Sequence, residues 1–91
     1  MTEAHPDWKS RLWAYVAESI KAARLEAGMS QEQLAALVGL SRASIANAEK
    51  GWQRLPLHVL YDVAISTGVE VADLLPELWE LAGDTATEPP R

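Results

Sequence analysis

The sequence predicts an all-α fold of five helices, the first of them long. Two observations carry this. Apolar residues recur at helical spacing in successive segments, and serine, proline and glycine stand where those segments begin and end. Ninety-one residues suffice for one domain with a modest core, and chains of this size often gain stability by oligomerising. The sequence holds no cysteine, so neither a disulfide nor a cysteine-ligated zinc supplements the core, and packing must hold it together.

Residues 1–6 show no periodicity and are expected to be a flexible N-terminus. Asp7 offers an N-cap for a helix from Trp8 to about Ala27, with Leu12, Trp13, Val16, Ile20, Ala23 and Ala27 on one side. Trp8, Tyr15 and Leu25 lie off that stripe, as scattered surface residues do. Ser30 and Gln33 have the spacing of a capping box, which starts a second helix at Gln31. Leu34, Ala35 and Val38 form its narrow apolar stripe, and Gly39 supplies the positive φ of a helix exit. Ser41 is a good N-cap for a third helix from Arg42, with Ile45 and Ala48 inward and Gly51 past its end. Ala35 lets the two short helices cross closely, and Gly39 makes their tight turn sterically possible. After Trp52-Gln53-Arg54-Leu55, Pro56 suits the first turn of a fourth helix. Its stripe is read as Leu57, Leu60, Tyr61 and Ala64, and Thr67-Gly68 closes it. A fifth helix is expected over about residues 70–75, and Pro76 either ends it or begins a further turn through Leu81. The folded domain is thus expected over residues 7–81, with residues 82–91 a disordered tail that lacks apolar content.

The segment from Arg24 through Gly28-Met29-Ser30-Gln31, Leu34-Ala35, Val38-Gly39, Ser41, Ser44-Ile45 and Glu49-Lys50-Gly51 resembles the helix-turn-helix of the Cro and phage-repressor family, often called XRE-type. The likeness continues through Leu57, Leu60, Ala64, Gly68-Val69 and Leu74-Leu75, and so runs from about Ile20 to Leu75. It implies a lambda-repressor-like DNA-binding domain with the motif over residues 31–50. It also implies that Arg24 pairs with Glu49, and that Gln31 sets the start of the second helix against the DNA backbone. The chain departs from the family in two places. Its first helix begins about two turns early, at Trp8, Leu12 and Trp13, and Trp52 replaces the small or basic residue expected after the third helix. That tryptophan either covers the core or lies along the sugar backbone.

Charge and residue types narrow the function. His5 and His58 are far apart, and no cysteine or glycine-rich phosphate loop accompanies them, so no catalytic site, cofactor or metal is expected. No signal segment or long apolar run is present, which leads to the expectation of a cytoplasmic protein without a membrane partner. The net charge is −5, but it is unevenly spread. Residues 20–54 place Lys21, Arg24, Arg42, Lys50 and Arg54 against Glu26, Glu32 and Glu49, a net of +2, whereas residues 55–91 carry −6. Local phosphate neutralisation remains available near the motif, while the acidic body disfavours sequence-blind attraction to DNA.

The expected partner is double-stranded DNA, entered through the major groove. The outward face of the third helix offers Arg42, Ala43, Ala46 and Asn47 to base edges. Arg42 suits guanine, Asn47 suits adenine and the alanines suit a thymine methyl, although position by itself also admits a phosphate contact for Arg42. Gln31, Ser41, Ser44, Lys50, Gln53 and Arg54 are the expected phosphate contacts. One short helix reads few base pairs, so a homodimer on an inverted repeat is expected. Val71, Leu74, Leu78 and Trp79 are the expected interface, with the early turns of the first helix contributing. The resulting reading is a repressor or autoregulator. The open alternatives are the antitoxin of a toxin-antitoxin pair, or a protein-binding adaptor without DNA function.

Overall fold

The computed structural model describes residues 7–82. Helix α1 spans Trp8–Glu26, α2 Gln31–Val38, α3 Arg42–Glu49 and α4 Leu57–Thr67, followed by two 3-10 helices at Val71–Leu74 and Leu78–Leu81. The flexible segment expected over residues 1–6 and the tail expected beyond Ala82 lie outside the described residues.

Local chemistry explains most of these boundaries. At α2 the Gln33 amide donates to Ser30 Oγ at 3.0 Å and the Ser30 amide donates to Gln33 Oε1 at 2.8 Å, a complete capping box. Gly39 ends the helix at φ 72°, a conformation that costs a side-chain-bearing residue and lets the chain turn at once into Ser41. Ser41 Oγ then accepts the Ser44 amide at 3.0 Å and starts α3. At the N-cap of α1 the outcome differs from the expectation. The Asp7 carbonyl accepts from the Arg11 amide, but its carboxylate makes no capping bond to the first turn.

The core gathers Val16, Ile20 and Ala23 from α1, Leu34, Ala35 and Val38 from α2, Ile45 and Ala48 from α3, and Val59, Leu60, Val63 and Ala64 from α4. Leu55 closes it from the loop and Leu74 from the first 3-10 helix. Ala27, expected on the buried side of α1, is exposed because the helix has already ended.

Two further expectations are corrected, the buried stripe of α4 and the start of the tail. On α4 the buried stripe is Val59, Leu60, Val63 and Ala64, while Leu57 and Tyr61 are 63% and 49% exposed. The two candidate stripes share Leu60 and Ala64, so spacing does not choose between their flanks. Leu55 and Leu74, supplied by other segments, complete the side that is buried. The fifth helix is a 3-10 turn, because Pro76 disfavours helical backbone at Leu75, which is extended at φ −113° and ψ 142°. Beyond Pro76 the second 3-10 helix buries Leu81. Ala82, assigned to the tail from the sequence, is also buried, and its carbonyl accepts from Arg11 Nη1 at 3.0 Å. That bond ties the end of the described chain to α1.

Candidate nucleic-acid interface

The orientation of α3 is fixed by a buried ion pair. Arg24 on α1 donates from Nε to Glu49 Oε2 at 2.6 Å and from Nη2 to Glu49 Oε1 at 2.9 Å, a bidentate fork at the last residue of α3. Its remaining nitrogen, Nη1, donates to the Met29 carbonyl at 2.8 Å, so the guanidinium also holds the segment entering α2. The Glu49 hydrogen bonds and charge push the Arg24 pKa above the ordinary guanidinium value, and burial opposes them. Both side chains are buried.

Gln31, the first residue of α2, extends this pair outward. Its Nε2 donates to Glu49 Oε1 at 3.1 Å, and its Oε1 accepts a long bond of 3.4 Å from Arg42 Nη1. The chain of contacts therefore runs from the core pair through Gln31 to the first residue of α3. Sequence spacing did not reveal this role for Gln31, because the reach of a long side chain is not encoded in periodicity. The start of α2 remains suited to an anion through its amides and dipole, but the Gln31 side chain is already engaged inside the protein.

Ile45 and Ala48 anchor the inner side of α3 in the core. On the other side Arg42 and Ala43 are exposed, and Ala46 and Asn47 are half-buried. Ser41 and Ser44 are first of all capping residues, with Ser41 Oγ donating to Ser44 Oγ at 3.1 Å. Past the helix, the Asn47 carbonyl accepts from the amides of Lys50, Trp52 and Gln53 at 3.2, 2.9 and 3.3 Å, which winds the loop back along α3. Gly51 permits that turn at φ 78°. Lys50 and Arg54 are exposed and Gln53 is half-buried. Each of the two cations rests near an indole ring, Lys50 Nζ at 4.6 Å from the Trp52 centroid and Arg54 at 6.0 Å from that of Trp13.

The expected dimer residues are dispersed. Leu74 is 1% exposed and belongs to the core, so it is withdrawn as an interface residue. Val71 and Trp79 are half-buried, and Leu78 is 81% exposed. The apolar surface missed by the sequence reading is the outer stripe of α4, where Leu57, Tyr61 and Ile65 are exposed at four-residue spacing. Beside it lies an apolar groove between α1, the α3–α4 loop and α4, lined by Leu12, Trp13, Leu55, Leu57, Leu60 and Leu75. Among the described residues no helix is long and apolar enough to cross a membrane, and no three acidic or histidine side chains converge as a metal site.

The helix-turn-helix family pattern matches residues 20–74. The chain belongs to this family, in its XRE-type branch. Similar solved structures include the restriction-modification controller protein C.AhdI from Aeromonas hydrophila, 27% identical at a TM-score of 0.65 over 69% of this chain and 96% of that one. They also include the hypothetical transcription factor NHTF from Neisseria, 30% identical at a TM-score of 0.68 over 84% and 87% of the two chains. A point mutant of the controller protein C.Esp1396I is 33% identical over 70% and 85%, with a TM-score of 0.65. Hydroxypropylphosphonic acid epoxidase from S. wedmorenis matches at 29% identity and a TM-score of 0.67, but over only 35% of its own length. That likeness concerns a helix-turn-helix unit and carries nothing of the enzyme's chemistry to this chain. Among curated proteins none matches. This XRE-type protein is a DNA-binding regulator.

Proposed function

We propose that the protein is a sequence-specific transcription regulator, not an enzyme, that binds an inverted-repeat operator as a homodimer and acts as a repressor or autoregulator. The observation that carries this reading is the position of α3, whose outward residues Arg42, Ala43, Ala46 and Asn47 are accessible while a buried fork fixes the helix behind them. A helix so held fits the major groove with its N-terminal residues at base edges. Selection of bound sites from a random duplex library tests it: enrichment of a palindrome with half-sites one helical turn apart is the expected result, and no enrichment would discard the reading.

Lys50 and Arg54 are proposed to neutralise backbone phosphates beside the recognition helix, with Ser41, Ser44, Gln53 and the start of α2 completing the rim. Replacing either cation by alanine should weaken binding to every sequence alike. It should also lower the slope of log affinity against log salt by about one per lost contact. An unchanged slope would remove that residue from the interface.

The dimer seam is proposed to lie on the stripe of Leu57, Tyr61 and Ile65, with Leu78 contributing, exposed apolar surface that one chain leaves uncovered. Because a seam between identical helices is self-complementary, a twofold axis satisfies it. Sedimentation equilibrium should give about twice the 10.0 kDa chain mass at micromolar concentration. Ile65→Asp and Leu78→Asp should each give the monomer mass. Leu74 is unsuitable for this test, since its substitution would open the core. The same stripe is the observation favouring a second reading, in which a different protein covers it, as in an antitoxin or adaptor. A native chain that sediments as a monomer at that concentration would favour this second reading.

A further inference from the structure

We propose that Trp52 is a contact to the DNA backbone, and that its ring holds the Lys50 ammonium in position against the phosphates beside the site read by α3. The inference rests on the DNA-binding reading above and adds a positioning residue to it. Trp52 is 75% exposed, so it does not serve the core, and exposing an indole to this degree forgoes the burial that usually determines where a tryptophan sits.

The backbone nevertheless fixes its location. Its amide donates to the Asn47 carbonyl at 2.9 Å, which places the loop alongside the very turn of α3 that presents Asn47. Lys50, one residue beyond the helix, lies with Nζ 4.6 Å from the Trp52 ring centroid, within the range of a cation–aromatic attraction. A lysine ammonium on a flexible stem loses freedom on meeting a phosphate, and one already resting on a ring loses less. Charge complementarity selects the occupant of this surface. The exposed cation Lys50 rests on Trp52, exposed Arg54 follows two residues later in the same loop, and the nearest acidic side chain in sequence, Glu49, is buried and neutralised by Arg24. An apolar ring carrying a cation on its face, with a second cation in the same loop, matches the alternation of deoxyribose and phosphate along a DNA strand.

The test compares the wild-type chain with W52A, W52F, K50A and the double variant K50A/W52A on the selected duplex and on a scrambled one, across a series of salt concentrations. Because Trp52 is exposed, far-UV circular dichroism and thermal unfolding should match wild type in all four. W52A should weaken both duplexes by the same factor, about two- to fivefold or more. W52F should restore most of the loss, and the K50A and W52A losses should be less than multiplicative in the double variant. DNA should change the indole emission of the wild type, and W52F should lose that change. If the wild type binds DNA and W52A keeps its affinity and salt slope, the proposal is overturned while the DNA-binding reading stands. A W52A loss confined to the selected duplex would overturn it too, since that marks a base reader. If the wild type binds neither duplex, the DNA-binding reading falls and the proposal falls with it.

Discussion

Glu49→Ala is expected to cost about 3–5 kcal/mol of folding stability, the loss typical of removing one partner of a buried ion pair. The size follows from what remains behind. Arg24 would keep its charge in a buried site with only the Met29 carbonyl as acceptor, and Gln31 would lose the oxygen its amide donates to. Arg24→Ala should cost a similar amount, because it leaves the Glu49 carboxylate buried with Gln31 as its remaining donor. Urea denaturation of both single variants and the double variant measures the coupling. The double variant should be much less destabilised than the sum of the singles, with an interaction energy well above the roughly 0–1 kcal/mol of an exposed pair. Additive losses would mean that the fork contributes nothing as a unit.

The same pair should show no pH dependence of its own through the arginine. The folded-state pKa of Arg24 is raised, so its contribution is fully present below the ordinary guanidinium pKa and disappears only as pH rises through the higher folded value. That window lies above any pH at which binding would be measured.

Sequence and structure agree best where a single residue determines a boundary. Ser30 with Gln33, Gly39 and Ser41 each act within one turn, so their effect on α2 and α3 can be read from types and spacing. The outer face of α4 was not legible for the opposite reason. Leu57 and Tyr61 satisfy helical spacing as well as Val59 and Val63 do, and the choice is made by Leu55 and Leu74, which arrive from elsewhere. The fifth helix lies where it was expected, and it takes the short 3-10 form because Pro76 acts backward on Leu75 as well as forward.

In the candidate site, the family resemblance supplied the pairing of Arg24 with Glu49, and the bidentate fork agrees with it. Nothing in the spacing indicated that Gln31 would bridge Glu49 and Arg42, or that Lys50 would lie on Trp52. Both contacts depend on where long side chains point after the backbone is built. A basic residue two positions before an aromatic, just past a helix end, is the local signal that could have suggested the second.

Arg42→Ala and Asn47→Ala should each weaken binding to the selected operator by about 1–3 kcal/mol per half-site, and by about twice that for a dimer engaging two. The fold should be unaffected, since Arg42 is exposed, Asn47 is half-buried, and the helix is anchored by Ile45 and Ala48. The Asn47 carbonyl that gathers the loop amides belongs to the backbone and survives the substitution. Arg42 must leave its long contact with Gln31 to donate twice to a guanine. At 3.4 Å and in an exposed position that contact is weak, so the rearrangement opposes binding little. Gln31→Ala, which releases Arg42, should therefore change affinity for the operator less than Arg42→Ala does. Binding to the selected duplex and to a scrambled duplex separates base reading from backbone contact. A loss confined to the selected duplex identifies a base reader, whereas equal losses on both would reassign the residue to phosphate. For Asn47 the expected signature is sharper still. Substituting the adenine at its preferred position should remove most of the difference between wild type and Asn47→Ala, because the asparagine then has no matched donor and acceptor to engage.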